Sequence, residues 1–178
     1  MVRTNGANKN GQIVPENWIN DIKNYEDNSC YLNQDDLKRW KSQGYWPDRK
    51  HVGGYLCDMT KAQPDWNPKV INWFSETFDA INIGTSYFKM TTCSYLPKHI
   101  DTYDLYRKIF KCDLDSIIRL IIFLTDWKEG HISEIDGTPI YNYQAGDFIY
   151  WESTTPHMAG NMGIEDRYTL QITGHTNV

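Results

Sequence analysis

Two histidines and an aspartate stand apart from the other polar residues of the chain. His99-Ile100-Asp101 sets an imidazole and a carboxylate two residues apart, so on an extended segment both side chains leave the same side, within reach of one metal ion. The pair alone decides little, because 5 His and 16 Asp in 178 residues give about 0.45 such pairs by chance. Its weight comes from residues further along the chain. His157 lies 58 residues later, after Thr154-Thr155-Pro156. The intervening sequence holds about four strand-like runs, enough to travel round a small barrel and return beside the start. Two imidazoles and one carboxylate on one face leave three positions open on an octahedral Fe(II), where a bidentate co-substrate and O₂ bind together.

Ten residues beyond His157 stands Arg167, followed by Tyr168-Thr169 in an alternating run, so Arg167 and Thr169 share a face. A guanidinium beside a hydroxyl clamps a carboxylate through paired N–H donors and one O–H donor. With six Arg in the chain, one at a preset position is a chance event of about 0.03. The other three histidines lack such company. His51 and His175 sit in loop-like or terminal sequence, and His131 is a candidate for a barrel interior.

These residues need strands to position them. From Thr85 onward the period is that of β-structure: 85–94, 116–124, 132–135, 139–143, 147–151 and 167–173 are rich in β-branched and aromatic residues. Asp136-Gly137 reads as a hairpin turn, and Ala145-Gly146-Asp147 as a tight reversal. The first 84 residues read as helical and irregular support. Residues 65–81 place Val70, Ile71, Phe74, Phe78 and Ile81 at helical spacing, with Pro68 near the first turn. A shorter helix over 34–43 aligns Leu37 with Trp40 and ends at Tyr45-Trp46-Pro47. The expected fold is mainly β with N-terminal helices: a jelly roll, spanning residues 85–174, buttressed on one face by helices from residues 1–84 in a single domain.

Composition narrows the function. At 20.9 kDa, 40% hydrophobic and 23% charged, with 7 Trp, 12 Tyr and 6 Phe, the chain fills one core and lines a pocket. A net charge of −5 and the lack of any basic run argue against nucleic acid as a partner. The longest apolar stretch, 117–124, is interrupted by Arg119 and far too short to span a bilayer. The opening MVRTNGANKNGQ has no apolar segment after its basic residue, so no secretory signal is expected and a cytoplasmic setting is the default. Cys30, Cys57, Cys93 and Cys112 are too widely spaced for a zinc or redox motif and read as reduced, mostly buried thiols.

The run His99-Ile100-Asp101, His157, Arg167-Tyr168-Thr169 resembles the 2-oxoglutarate/Fe(II)-dependent dioxygenases, whose pattern is His-x-Asp/Glu, a distant His, and Arg-x-Ser/Thr about ten residues on. The likeness extends over residues 85–174. In the stretch AGDFIYWESTTPHMAGNMGIEDRYTLQITG it especially resembles small microbial and bacteriophage members. It implies a double-stranded β-helix of cupin-like form with the metal at one mouth, His99, Asp101 and His157 on Fe(II), and Arg167, aided by Thr169, on the distal carboxylate of 2-oxoglutarate. It implies oxidation of a substrate by O₂ coupled to decarboxylation of the keto acid to succinate and CO₂, with hydroxylation the usual outcome. A carboxylate at 101 argues against halogenation, which needs that ligand position for halide.

Further candidates surround this set. Arg119, in an otherwise apolar strand, points either inward to a carboxylate or outward to solvent. Tyr87, Tyr95 and Trp151 are candidates for the co-substrate pocket, against plain barrel core, and Asn161 for a hydrogen bond near the metal, against a turn. Residues 102–115, with Tyr103 and Arg107, read as a cover over the substrate. That substrate is expected to be an amino acid, a peptidyl residue or another small metabolite. Two other readings stay open: a jelly-roll module binding a small acid or sugar without catalysis, and a cupin-type metalloenzyme that uses no keto acid, which leaves Arg167 and Thr169 without a task. The oligomeric state is open, and Zn, Ni or Mn in place of iron is compatible with such a ligand set.

Overall fold

Alternation along a few strands decides the architecture of the computed structural model, which describes residues 3–5, 34–45, 52, 54–58 and 64–177. The strands are β1 (Arg3–Asn5), β2 (Tyr55–Asp58), β3 (Ala80–Met90), β4 (Ser94–His99), β5 (Ile117–Phe123), β6 (His131–Ile135), β7 (Thr138–Pro139), β8 (Phe148–Glu152), β9 (His157–Asn161) and β10 (Arg167–Thr176). The helices are α1 (Gln34–Ser42), α2 (Asn67–Phe78) and α3 (Asp104–Phe110). Six strands form a large sheet in the order β1-β8-β5-β10-β3-β2, and four form a small one in the order β4-β9-β6-β7. Every pairing of neighbouring strands is antiparallel. Consecutive strands cross repeatedly between the two sheets, so the chain winds as a jelly roll.

Both faces of the large sheet carry apolar side chains, and each group has its own partner. Leu120, Ile122, Leu170, Ile172 and Tyr87 point outward onto Val70 and Phe74 of α2. The alternate residues Ile121, Phe123, Ile149 and Trp151 point inward with Ile135 and Tyr143. Burying each such side chain stabilises the fold by about 1.5–3 kcal/mol. Helix α2 lies directly on the backbone at Gly174, where an added Cβ would stand 2.8 Å from the Phe74 ring.

The helix expected over 65–81 stops at Phe78. Asp79 turns left-handed at φ 50° and its N–H caps Ser75 O, which releases Ala80 and Ile81 into β3. The strand region therefore opens at Ala80 rather than Thr85. β1 and β2 bring residues 3–5 and 55–58 into the large sheet, so the N-terminal part supplies strands as well as helices. Helix α1 ends at Ser42, two residues before Gly44 at φ 90°. Trp46 and Pro47 lie outside the described residues. Asp136 and Gly137 both take positive φ, 50° and 76°, which is the turn a two-residue hairpin between β6 and β7 requires. The run 139–143 does not continue as a strand: β7 ends at Pro139, and beyond the Ile140 N–H, which still bonds Ser133 O at 2.8 Å, no further pairing with β6 follows. No helix among the described residues is long and apolar enough to cross a membrane.

Candidate metal centre

β4 and β9 are neighbours in the small sheet, and their register sets His99 opposite His157. Each histidine follows a proline closely, and each ring is fixed by a carbonyl two residues upstream. His99 Nδ1 lies 2.7 Å from Pro97 O, and His157 Nδ1 lies 3.0 Å from Thr155 O. A carbonyl only accepts, so both Nδ1 atoms carry the proton and both Nε2 lone pairs are left for a ligand. Pro97 also lies within the irregularity between Leu96 and His99 that turns the end of β4. Asp101 follows in the loop leading to α3. Its Oδ1 is 3.4 Å from His99 Nε2 and its Oδ2 is 3.7 Å from His157 Nε2. The three donor atoms lie within 4.8 Å of one another. Donors about 2.1 Å from one ion at near right angles stand about 3 Å apart, so small side-chain adjustments seat a first-row dication here.

The electrostatics prepare these groups as ligands. Burial pushes the His157 pKa down to about 4, against the pull of Asp101, so the ring is neutral at physiological pH. Burial alone would raise the Asp101 carboxyl. Its contact with His99 and the charges of Arg119 and His157 outweigh that and hold it well below the usual carboxylate range. A metal ion therefore displaces no proton from either residue.

The three side chains open onto a cavity of about 610 Å³ between the sheets. On β10, the alternate residues Arg167, Thr169, Gln171 and Thr173 all line it. Arg167 is only 2% exposed. One Nη bonds Ser133 Oγ at 2.7 Å, the other lies 3.5 Å from Met90 Sδ, the guanidinium carbon sits 5.7 Å from the Phe123 ring centre, and Nε has no partner. Among the described residues no carboxylate lies within ion-pair distance of it. A buried cation in that state is costly, and an incoming carboxylate removes the cost. The residues present thus fit both a metal ion and an acid beside it. Tyr143 stacks on Phe123 at 3.6 Å and burial raises its phenol pKa, while burial lowers that of His131, whose ring the Tyr143 hydroxyl faces.

Arg119 points inward. Its Nε is 3.9 Å from Asp101 Oδ2, one Nη bonds Thr173 Oγ1 at 2.6 Å and the other bonds Gln171 Oε1. Trp151 is buried on the cavity wall with its ring 4.9 Å from that of His157. Tyr103 is half-buried beside Asp101, and burial followed by the aspartate's charge raises its phenol pKa. It adopts φ 54° immediately before α3.

Four sequence expectations need correction. Tyr87 does not reach the cavity: Ser86 and Phe88 face inward on β3, so Tyr87 faces α2 and meets Trp66 edge-on at 5.7 Å. Tyr95 likewise lies on the far side of β4 from Leu96, which does line the cavity. Asn161 lies four residues along β9 from His157, about 13 Å of strand, and braces the turn into β10 instead. Its Nδ2 bonds Met90 O and Glu165 O, and its Oδ1 accepts from Gly163 N. Arg107 projects away from the cavity, because Leu105, Tyr106, Ile109 and Phe110 occupy the facing side of α3. Among the cysteines, Cys93 is exposed and Cys112 intermediate, both free. Cys30 and His51 lie outside the described residues, as does the side chain of Cys57. His175, expected in a terminal loop, is buried in β10 with Nε2 3.0 Å from Asn82 Nδ2.

Sequence reasoning missed Ser133, Gln171, Thr173 and Trp40. Gln171 and Thr173 were accessible by carrying the alternation of β10 two steps beyond Thr169, and Ser133 by one step along β6 from His131. Trp40 of α1, whose ring meets His99 edge-on at 5.8 Å, left no local signal.

In fold the chain is similar to a prolyl-4-hydroxylase of Pseudomonas putida, with a TM-score of 0.55 at 12% identity over 89% of this chain and 97% of that one. It is similar as well to two enzymes of nogalamycin biosynthesis. These are the non-heme alpha-ketoglutarate-dependent carbocyclase SnoK (TM-score 0.57, 12% identity, 82% of this chain and 76% of that one) and the epimerase SnoN (0.54, 10%, 82% and 75%). No family model matches the chain, and no curated protein matches it in sequence. At these identities the likeness is one of fold: the chain is a jelly roll of the kind that these enzymes adopt.

Proposed function

We propose that the protein is an Fe(II)- and 2-oxoglutarate-dependent oxygenase that hydroxylates a small-molecule or peptidyl substrate. The observation that carries this is Arg167, a buried cation lacking any carboxylate partner among the described residues, in the same cavity as the His99, Asp101 and His157 cluster. A dicarboxylate keto acid answers both needs, with one end on the metal and the other on the guanidinium.

In this reading His99, Asp101 and His157 hold Fe(II). The bound metal supplies the O₂ chemistry, in which 2-oxoglutarate is split to succinate and CO₂ while one oxygen atom enters a C–H bond of the substrate. Arg167 orients the keto acid from its distal carboxylate, with Ser133 holding the guanidinium and Thr169, 1% exposed, beside it. The carbonyls of Pro97 and Thr155 keep both imidazoles turned toward the metal. Trp151 and Ile121 line the cavity with apolar surface, and α3 covers its mouth. Iron in the ferrous state suits a reducing compartment such as the cytoplasm.

The test is an anaerobic titration of metal-free protein with Fe(II) and then 2-oxoglutarate, following the weak visible charge-transfer band of a bidentate keto-acid chelate. The wild type is expected to develop the band, His99→Ala to lose it, and Arg167→Ala to need far more 2-oxoglutarate. Metal binding without any band would exclude the keto acid.

A further inference from the structure

The cavity contains a second arginine that the keto acid does not require. Arg119 sits in the apolar run Ile117-Ile118-Arg119-Leu120-Ile121-Ile122-Phe123, with its side chain 18% exposed. Its backbone pairs with Thr173, six residues along β10 from Arg167, about 20 Å of strand. The two guanidiniums therefore serve different ends of the cavity. A guanidinium has five N–H donors. Thr173 and Gln171 engage one on each Nη, and Nε faces Asp101 at the loose distance of 3.9 Å. One N–H on each Nη is left without a partner among the described residues, available to a carboxylate.

The charges of the cavity lining point the same way. Asp36 and Arg39 neutralise each other at 2.7 Å, and Asp104 is exposed at the rim. Inside remain Asp101, Arg119 and Arg167. A dication and a keto-acid dianion, added to this set, leave one positive charge over. Asp101 is then shared with the metal, which weakens its hold on Arg119. One further carboxylate closes the balance. Around the mouth, Ile100, Leu105, Ile109 and Phe110 line the same cavity while remaining 45%, 71%, 58% and 38% exposed. They offer apolar contact to whatever extends outward from Arg119.

We propose that Arg119 recognises a carboxylate of the primary substrate, held in position by Gln171 and Thr173, and that this substrate is a monocarboxylic acid with an apolar body packed under α3. The proposal rests on the Fe(II)/2-oxoglutarate reading, and the experiment separates the two.

Wild-type protein loaded anaerobically with Fe(II) and 2-oxoglutarate is titrated with hexanoate and with hydrocinnamate, each alongside its primary amide. Perturbation of the charge-transfer band and the shift in melting temperature give two independent readouts of binding. The acids are expected to bind and the amides to bind at least about 10-fold more weakly, as the loss of a charge-assisted pair dictates. Arg119→Gln should cost the acids about 10- to 100-fold while leaving the amides nearly unaffected, and Arg119→Lys should recover part of that. Gln171→Leu, which keeps the charge but frees the guanidinium, should fall between. Equal binding of acids and amides, or no binding by either acid, overturns the proposal. A loss in Arg119→Gln that falls on 2-oxoglutarate rather than on the acids overturns it as well and assigns Arg119 to the keto acid. Failure of the wild type to form the band would instead refute the oxygenase reading itself.

Discussion

At the scale of single residues, buried charge is the informative quantity. Arg167 is buried with a hydroxyl, a thioether and an aromatic face but, among the described residues, no carboxylate, so it lies ready for an acid at a cost in stability. Replacing it with the similarly shaped Met should leave the melting temperature of the metal-free protein unchanged or raise it, by up to about 1–3 kcal/mol in stability, because the desolvated charge disappears. The same variant should lose the stabilisation that 2-oxoglutarate gives the metal-loaded wild type. A clear drop in apo stability with the ligand response intact would refute this account of Arg167. His157 permits a pH prediction. Its folded pKa near 4 lies below the unfolded value of about 6.5, so between them the unfolded chain binds a proton that the fold does not. Stability of the chelator-treated protein should therefore fall as pH drops from about 6.5 toward 4, by up to about 3 kcal/mol from this residue. His131, lowered by burial, adds to the same slope. Melting curves between about pH 7 and pH 5 check it, and His157→Gln should flatten them. At this scale the grouping of His99, Asp101 and His157 and the shared facing of Arg167 with Thr169 were legible, because strand alternation converts spacing into shared facing. Tyr87 and Tyr95 were misplaced because the sequence shows parity within a strand but not which parity faces in.

At the scale of elements, the least secured piece is α3. Its seven residues bury none of their side chains, and left-handed residues at Tyr103 and Lys111, both at φ 54°, bracket it. A helix so short does not persist on its own propensity. Among the described residues one side-chain hydrogen bond ties it down: the Tyr106 hydroxyl donates to Asn82 O at 2.9 Å, while the Tyr106 and Phe110 rings lie 6.0 Å and 6.4 Å from that of His175. Asn82 is itself left-handed at φ 53°, near the bulge where β10 slips register against β3. Tyr106→Phe removes the hydrogen bond and keeps the ring. Local opening of α3 should become easier by about 1 kcal/mol, or roughly 5-fold in tryptic cleavage after Arg107, Lys108 and Lys111. Global melting should change little, because none of the principal core residues lies on α3. Cleavage unchanged from wild type would show that the helix is held by other contacts. The helix was legible as a Tyr- and Phe-bearing segment close after His99 and Asp101. Its tether was not, since Asn82 and His175 meet only through pairing of strands 93 residues apart.

At the scale of the whole molecule, the site is divided between the two sheets. His99 and His157 belong to the small sheet, and Arg119, Arg167 and Thr169 to the large one. The jelly roll was legible from short strands punctuated by turns. The sheet places of β1 and β2 were not, because three- and four-residue runs leave no periodicity to read. A ligand that grips both sheets should stabilise the fold more than one that grips a single sheet. In the proposed reading, Fe(II) alone would engage the two histidines and Asp101. 2-Oxoglutarate on that metal would add Arg167, and with it a link across the core formed by Phe123, Ile135 and Trp151. The expected order of melting temperature is therefore apo, then metal, then metal with keto acid. The last step is worth about 2.7 kcal/mol when the keto acid stands at 100 times its dissociation constant. The keto acid without metal retains only Arg167 and should give a small part of that shift. Succinate, which keeps the distal carboxylate but lacks the keto group, should fall between them in the presence of metal. Zn or Mn in place of iron permits the measurement in air, since binding requires the divalent charge and not its redox chemistry. If keto acid and metal shift the melting temperature independently and additively, they do not share one site, and Arg167 serves some acid bound apart from the histidines.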